Sequence, residues 1–508
     1  IKLIFNGVDI TCADNAPLLV SKAKKVYIVL EDGTENVLTD SASYSLGEDD
    51  SNTDGAIFSK ADLTINGSGT LTVNANYKHG IVSKDDLVIT DGNINVTSAS
   101  TAMEGKDSVK ISGGTFNISA GTNGIKSTNA EASDKGFISV TGGSFTVVAN
   151  NDAFEAETVL SIEGGSFDIT TGGGSANASM KSDGTPNRNW QNNMGNGGGG
   201  PNGMGRPDDN GNGTGGEPPA MPTADNTDTT DSTSTSAKAL KAGSEVNISG
   251  GEFKIDSADD SVHSNGNIVV TGGNISAASG DNGMHANGNL TISDGTVDIT
   301  KSYEGIEGSI VTIDGGTISV VASDDGINCA GGSDTGSTDR MGADQFSAQE
   351  GVELNINGGT VTIDADGDGL DSNGNFTMAG GTVYVCGPTN GGNGALDYNG
   401  TATVTGGTLI ACGAVGMEEG FGDNSTQYSV LHDLGSTVSA NEKLTITDSD
   451  GKEILSFTPT KTWQSVVFTS ADLKKGETYT ITAGSQSETV TIDGIVTSNS
   501  KGMSFGRG

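Results

Sequence analysis

The sequence predicts an all-β protein, built as a right-handed parallel β-helix of about 12 coils with a C-terminal β cap. Three observations predict this fold class. A glycine-containing phrase returns about every 22 residues, apolar and polar residues alternate after each phrase, and the composition offers little material for a helical core.

The repeated phrase is clearest between residues 250 and 386. There Gly-Gly-Glu-Phe-Lys-Ile is followed by Gly-Gly-Asn-Ile-Ser-Ala and later by Gly-Gly-Thr-Ile-Ser-Val, and the second glycines Gly251, Gly273 and Gly295 stand 22 residues apart. A fixed period with strand-type alternation is typical of stacked repeats. We expect the second and fourth residues after each second glycine to point into the core, and the residues between them to point outward.

The composition limits the possible partners. Glycine accounts for 79 of 508 residues, aromatic residues for 5%, and the formal net charge is −39 with a pI near 4.1. Such a charge argues against nucleic acid or an anionic membrane as a direct partner and makes cations the first partners to expect. No run of residues is apolar and long enough to predict membrane insertion.

A second spacing predicts the domain organisation. In most repeats a lone apolar residue, here called the marker, stands 11 positions before the second glycine, as Val262 and Met284 do. Departures from this spacing predict insertions, one of them of low complexity, and loss of the period predicts a separate C-terminal region. Residues 1–44, which contain Pro17, are expected to form an irregular opening coil. The predicted segments are a β-helix over 1–424 with insertions at 129–134, about 172–237 and 331–349, a β cap or small β domain over 425–496, and a tail over 497–508.

The turns before the markers are acidic in successive repeats, and a second polar column follows the markers. Strands stacked about 4.8 Å apart would bring these carboxylates together, and like charges at that separation repel by about 1 kcal/mol even in water. Oxygen ligands in a flexible turn suit Ca²⁺. The alternative is that they are solvated turn residues, because Asp and Asn favour tight turns. The candidate ligands are Asp259, Asp260, Asp281, Asn282, Glu304, Glu307, Asp324, Asp325, Asp366, Asp368 and Asp371.

Three smaller features, a histidine pair, a Lys-Tyr pair and a cysteine pair, each have a functional and a purely structural interpretation. His263 and His285 are expected one coil apart, but two histidines are too few for a convincing zinc site. Lys301 and Tyr303 could contact a sugar or form a surface salt bridge. Cysteines at 386 and 412 are also expected one coil apart, so both a disulfide and two free thiols stay open.

Six phrases carry a family resemblance: Asp54-Gly-Ala-Ile, His79-Gly-Ile-Val, Asp259-Asp-Ser-Val-His, Lys301-Ser-Tyr-Glu, Asp366-Gly-Asp-Gly and Gly394-Ala-Leu-Asp-Tyr. With them the chain resembles a family of bacterial extracellular carbohydrate-binding β-helix proteins, largely clostridial, whose shape is like that of polysaccharide lyases. The resemblance implies calcium sites, binding to plant cell-wall polysaccharide such as polygalacturonate or cellulose, and secretion, with or without attachment to the cell surface. Where the family tends to have Asp-Asp-Gly-Ile, this chain has Lys-His-Gly-Ile at 78–81, so the resemblance does not extend calcium sites to the N-terminal coils.

The leading hypothesis is therefore a non-catalytic, Ca²⁺-dependent carbohydrate-binding protein of undetermined oligomeric state. The rivals are a Ca²⁺-dependent pectate-type lyase and a cell-surface adhesin. A lyase needs a strong base beside the metal to remove a proton. The four arginines, Arg188, Arg206, Arg340 and Arg507, lie in predicted insertions or the tail, which argues against an arginine base. A lysine base stays open, and Lys301 is the best placed by sequence.

Overall fold

The computed structural model describes residues 1–45, 52–178, 236–330 and 347–500. Within these ranges the secondary structure is β strand apart from one 3₁₀ turn, Ser175–Asn177, and there is no α-helix. None of the described segments forms a helix that could span a membrane. The all-β prediction is confirmed. Most of the predicted insertions at 172–237 and 331–349, and the end of the tail, lie outside the described residues.

Each repeat contributes three strands, and each strand pairs in parallel with the corresponding strand of the next repeat. Ile94 stands opposite Phe116, for example, and Met103 opposite Ile125. The strands therefore form three parallel ladders, where the alternation predicted at least two. Phe154 pairs directly with Leu240 although the insertion lies between them in sequence, so the insertion leaves the register intact.

The first ladder contains strands of three to six residues with one outward face. Its strands are Lys2–Phe5, Lys25–Leu30, Asp62–Gly67, Asp86–Ile89, Ser108–Ile111, Phe137–Val140, Val159–Ile162, Glu245–Ile248, Glu353–Ile356, Asn375–Met378 and Ala402–Val404.

The second ladder follows the glycine phrases. Its strands are Asp9–Thr11, Glu35–Thr39, Thr70–Ala75, Asn93–Ser98, Thr115–Ala120, Ser144–Ala149, Ser166–Thr171, Glu252–Ser257, Thr317–Ala322, Thr360–Ala365, Thr382–Cys386 and Thr408–Gly413.

The third ladder carries the markers. Its strands are Leu18–Val20, Gly55–Ser59, His79–Ser83, Met103–Gly105, Ile125–Ser127, Phe154–Ala156, Leu240–Ala242, Val262–Ser264, Ile327–Cys329, Leu370–Ser372 and Leu396–Tyr398. Three longer strands continue from one ladder into the next: Asn267–Ser279, Met284–Lys301 and Ile306–Ile313.

Alternation along the second ladder places the core as expected. In Thr115–Ala120 every second residue, beginning with Phe116, is buried. Phe116, Phe145, Phe167 and Phe253 stack along the interior with ring centroids 4.6, 4.8 and 4.6 Å apart. Burial of each such side chain contributes about 1.5–3 kcal/mol, so stacking of equivalent positions supplies the stability that one repeat lacks.

The second glycine of the phrase has a steric reason. Gly114 has φ +109°, and a Cβ there would lie 2.9 Å from the carbonyl oxygen of Gly92 in the preceding coil. Other residues rarely adopt this backbone conformation. The tight turn between the first and second ladders therefore depends on glycine, which explains why the phrase is regular in the sequence.

The two ends of the described chain differ from each other. The prediction of an irregular opening coil is wrong, because Lys2–Phe5 and Lys25–Leu30 join the first ladder in regular parallel register. At the other end Trp463–Thr469 pairs antiparallel with both Thr408–Gly413 and Ser429–Val438, and Val496–Ser498 pairs in parallel with Ser429–Val438. A separate antiparallel sheet contains Leu444–Thr447, Glu453–Phe457, Thr478–Ala483 and Gln486–Thr491.

Candidate functional site

The candidate ligands lie where the second ladder turns into the third. The column after the markers is in register through six coils, and the predicted stacking of the two histidines is confirmed, with ring centroids 5.0 Å apart. The residues that face one another in order are His263, His285, Glu307, Asn328, Asp371 and Asp397.

Asp259 and Asp260 are neutralised by the protein itself. The Lys238 ammonium lies 2.8 Å from Asp259 Oδ2 and 2.9 Å from Asp260 Oδ2. Asp260 is completely buried, its Oδ2 is also 2.8 Å from His263 Nδ1, and its Oδ1 accepts the backbone N–H of Asn282. Burial alone would raise the pKa of Asp260, but Lys238 and His263 outweigh it and hold that pKa well below its usual range. We call these residues the lysine-paired turn.

Lys238 is the functional residue that the sequence analysis missed. It stands two positions before the marker Leu240, just as Asp260 stands two positions before Val262. The signal was therefore present in the spacing, since Lys238 occupies the acidic column one coil earlier. Burial would lower the pKa of Lys238, but the two carboxylates raise it above its ordinary value. An ammonium thus occupies the place where the spacing suggested a metal ion.

Asn282, His285 and Glu307 meet in the next two coils. Asn282 Nδ2 lies 2.5 Å from Glu307 Oε2 and 3.3 Å from His285 Nδ1, which is itself 3.2 Å from Glu307 Oε2. Asp281 is buried beside them, and oxygens of Asp259, Asp260 and Asp281 come within 4.8 Å of one another. Both histidines are therefore already engaged with acidic side chains.

A different arrangement holds Glu304, Asp325 and Asp368, which we call the acidic cluster. The backbone N–H of Asp368 donates to Asp325 Oδ1 at 2.6 Å, and Gly394 N–H donates to Asp368 Oδ1 at 2.5 Å. Within the described part of the chain, no lysine or arginine forms an ion pair with these three carboxylates.

Crowding changes the acidity of the cluster. Burial, and then the charges of Glu307 and Asp324, raise the pKa of Glu304 well above its usual range. The pKa of Asp325 is raised by burial and then by Asp368 and its other acidic neighbours, and the pKa of Asp368 is raised to about 7, chiefly by burial. Unlike the lysine-paired turn, this group holds carboxyl groups close together without a described protein cation, so their charged forms are disfavoured.

Asn328 supplies a neutral oxygen beside the cluster. Its Nδ2 donates to Glu304 Oε1 at 3.2 Å, whereas its Oδ1 is buried and has no hydrogen-bond partner among the described residues. A buried amide oxygen without a partner costs about 1–3 kcal/mol. The site therefore offers an acceptor oxygen, as well as carboxylates, to any cation that enters.

The remaining predicted residues lie apart from the cluster or have other contacts. Asp366 is exposed and lies 3.1 Å from the Lys461 ammonium, which also approaches Asp364 at 2.9 Å. Lys301 Nζ donates to the Ser175 carbonyl at 2.7 Å. Tyr303 is half-buried, and its backbone N–H donates to the Asp281 carbonyl.

The cysteine pair has the predicted register. Cys386 stands opposite Cys412 in adjacent strands, and both side chains are buried and free. The Thr460 hydroxyl lies 3.2 Å from Cys386 Sγ. The structure therefore contains two free thiols and not a disulfide between Cys386 and Cys412.

These features define a parallel β solenoid whose coils align a line of polar and acidic turns. Residues 1–283 and 283–394 match the family described as carbohydrate-binding domain-containing protein, and the chain belongs to that family. The family resemblance seen in the sequence is thereby confirmed.

Two individual proteins illustrate the relationship. A carbohydrate-binding domain-containing protein of Acetivibrio thermocellus is 47% identical over 95 residues, which cover 18% of this chain. The chain spans only about a third, 33%, of the length of that curated relative. The solved structure of a polysaccharide lyase-like protein from C. thermocellum, a gadolinium derivative, is similar at 41% identity and a TM-score of 0.33, covering 34% of this chain and 70% of that chain.

Proposed function

We propose that the protein is a secreted, non-catalytic carbohydrate-binding protein that holds Ca²⁺ in the acidic cluster. In this proposal the ladders form a right-handed β-helix of about 12 coils closed by the C-terminal β strands. Family membership supports carbohydrate as the partner. The single observation that supports the metal is the crowding of Glu304, Asp325 and Asp368 without a described protein cation.

The donor set fits calcium. Ca²⁺ takes roughly six to eight oxygen ligands from carboxylates, amide carbonyls and water in a flexible geometry. Glu304, Asp325 and Asp368 would supply carboxylates, and the buried Asn328 Oδ1 would supply a neutral oxygen. A bound divalent cation would offset the repulsion that raises the pKa values of these acids. Asp259 and Asp260 are left out of the proposed metal site because Lys238 already neutralises them.

The proposed ligand is a plant cell-wall polysaccharide, either polygalacturonate or cellulose. A cation partly ligated by protein can accept carboxylate or hydroxyl oxygens of a sugar in its open positions. Calcium would then contribute both to the stability of the coils and to the affinity for polysaccharide.

A lyase is the weaker proposal because its base would have to be free beside the metal. Lys301, the base suggested by the sequence, donates to the Ser175 carbonyl. Lys461, the lysine paired with Asp364 and Asp366, would have to leave two carboxylates to act. Neither contact favours proton abstraction from a sugar.

Calorimetric titration of chelator-stripped protein with Ca²⁺, with and without polygalacturonate, tests this proposal. The variant Glu304→Gln/Asp368→Asn should lose calcium binding and calcium-dependent binding of polysaccharide. Glu252→Gln, at an exposed carboxylate of the second ladder, is the matched control and should bind as the wild type does. No calcium uptake by the wild type would refute the metal site, and appearance of ultraviolet-absorbing unsaturated product would refute the non-catalytic assignment.

A further inference from the structure

The outward face of the first ladder begins with a shallow groove of about 350 Å³. Its lining residues are Lys2, Tyr27, Val29 and Asn66, contributed by three successive strands. Lys2 stands opposite Tyr27, and Tyr27 stands opposite Thr64 in the next strand. The Tyr27 side chain is 40% exposed, so the groove presents an aromatic surface to solvent.

Two lysines bring positive charge to this groove. Lys2 lines it, and the Lys25 ammonium lies 5.5 Å from the centre of the Tyr27 ring. Asp62 stands opposite Lys25 in the next strand, but within the described ranges neither Lys2 nor Lys25 forms an ion pair with a carboxylate. In a chain of net charge −39, two unpaired lysines beside one aromatic ring favour an anionic ligand there.

One residue that lines the groove carries a polar atom that the protein does not satisfy. Asn66 Oδ1 is buried and has no hydrogen-bond partner in the described part of the chain. An unpaired buried oxygen costs free energy. The Asn66 side chain as a whole is only half-buried, so rotation of its amide would present this oxygen to a ligand hydroxyl and remove that cost.

We infer that this groove binds an acidic sugar residue of a polysaccharide without the help of calcium. The Tyr27 ring provides a flat apolar surface for the carbon face of a pyranose, and Asn66 provides hydrogen bonds for its hydroxyls. Lys2 and Lys25 provide positive charge for a carboxylate, which favours a uronate over a neutral sugar. The inference rests on the proposed carbohydrate-binding function and names a second site, separate from the acidic cluster.

The same ladder provides a matched control. Lys110 also faces outward and lies 5.1 Å from the centre of an aromatic ring, that of Phe137, but its ammonium is 3.4 Å from Asp86 Oδ2. It stands three strand spacings from Tyr27, or about 14 Å. Lys110 thus lies beside an aromatic ring as Lys25 does, but Asp86 already neutralises the charge of Lys110.

The test is calorimetric titration with a galacturonate trimer in excess EDTA at low ionic strength. Wild-type protein should bind, Tyr27→Ala should lose at least tenfold in affinity, and Lys2→Gln/Lys25→Gln should lose a similar factor and most of the salt dependence. Lys110→Gln should bind as the wild type does. A cello-oligosaccharide of the same length should bind at least tenfold more weakly. Tyr27 and Lys2 are exposed, so their substitution should leave the fold intact. Thermal unfolding of each variant checks this.

The outcomes separate this inference from the proposed function. Binding that requires Ca²⁺ and is lost in Glu304→Gln/Asp368→Asn would overturn the groove and keep the acidic cluster. Binding in EDTA that Tyr27→Ala leaves unchanged would also overturn it. Equal affinity for the neutral trimer would overturn the preference for acidic sugars. Calcium-independent binding that is lost in Tyr27→Ala but kept in Glu304→Gln/Asp368→Asn would support the groove, whatever the outcome of the separate calcium titration of the acidic cluster.

Discussion

Two neighbouring turns that lead into the third ladder differ in whether a lysine compensates their buried carboxylates. In the lysine-paired turn, Asp260 is entirely buried and has an ammonium at 2.9 Å. Two coils later the acidic cluster brings Glu304 close to other carboxylates, with no lysine or arginine paired to it in the described residues. The result is a lowered pKa for Asp260 and a raised pKa for Glu304.

The earlier coils resemble the lysine-paired turn. Lys126 lies 2.7 Å from Glu155, and Lys241 lies 3.0 Å from Asp152. Lysines therefore compensate several acids in the coils before residue 263, whereas no described lysine or arginine pairs with the three carboxylates of the acidic cluster. Equivalent positions in the repeat thus differ in whether the neighbouring coil supplies a cation.

The largest expected effect is on the lysine-paired turn. Lys238→Met would leave the buried Asp260 carboxylate without its ammonium, and breaking a buried pair costs about 3–5 kcal/mol. Denaturant unfolding should show a loss of that size in the free energy of unfolding. Lys238→Met/Asp260→Asn should recover most of it. An unchanged stability of the single variant would mean that Lys238 does not compensate Asp260.

Calcium should stabilise the protein through the acidic cluster. At a free Ca²⁺ concentration 100 times the dissociation constant, binding to the native state alone adds about 2.7 kcal/mol. The thermal midpoint of the wild type should rise with calcium, and that of Glu304→Gln/Asp368→Asn should not. Lys238→Met should keep the rise of the thermal midpoint with calcium. Loss of that rise in Lys238→Met would place the metal at the lysine-paired turn and not at the acidic cluster.

The two turns should also respond to pH with opposite signs. Asp368 has a folded pKa of about 7, above its unfolded value of about 4, so the metal-free protein should lose stability as pH rises from about 4 to about 7. Its partly exposed position reduces the expected loss to about 2 kcal/mol. The lowered pKa of Asp260 works the other way, because its contribution is present above about pH 4 and is lost as pH falls below it.

Denaturant unfolding of the chelator-stripped protein across this pH range measures the effect. Asp368→Asn should reduce the decline between about pH 4 and 7. Glu304 and Asp325, whose pKa values are also raised, should account for the rest. Saturating Ca²⁺ should reduce the contribution of all three carboxyl groups. A decline that persists unchanged in Asp368→Asn would assign it to another group.

The smallest effect is expected at Asp366, the exposed partner of Lys461. Exposed ion pairs contribute about 0–1 kcal/mol, so Asp366→Asn should lower the free energy of unfolding several-fold less than Lys238→Met does. Calcium affinity should be unchanged, because Asp366 already pairs with Lys461. Denaturant unfolding and calcium titration measure the two quantities, and a loss of stability as large as that of Lys238→Met would show that exposure of the carboxylate does not weaken its ion pair.

Much of the fold and part of the site follow from spacing. The period and alternation predicted the all-β class, the stacking of His263 on His285 and the register of Cys386 with Cys412, and each is present. The prediction of an irregular opening coil was wrong because its strands lack the glycine phrase, although they join the same ladder. The role of Lys238 does not follow from the spacing, because the equivalent positions in later coils are acidic.

The sequence by itself determined the repeat, the inward and outward faces and the column in which each polar residue lies. These follow from local backbone geometry, since a strand exposes alternate residues on opposite faces and a fixed period brings equivalent positions together. Only the tertiary structure decided that there are three ladders, that Lys238 pairs with Asp260 of the next coil, and that Tyr27 and Asn66 line one groove. These contacts depend on which side chains meet across neighbouring coils, and the periodic pattern does not specify that choice.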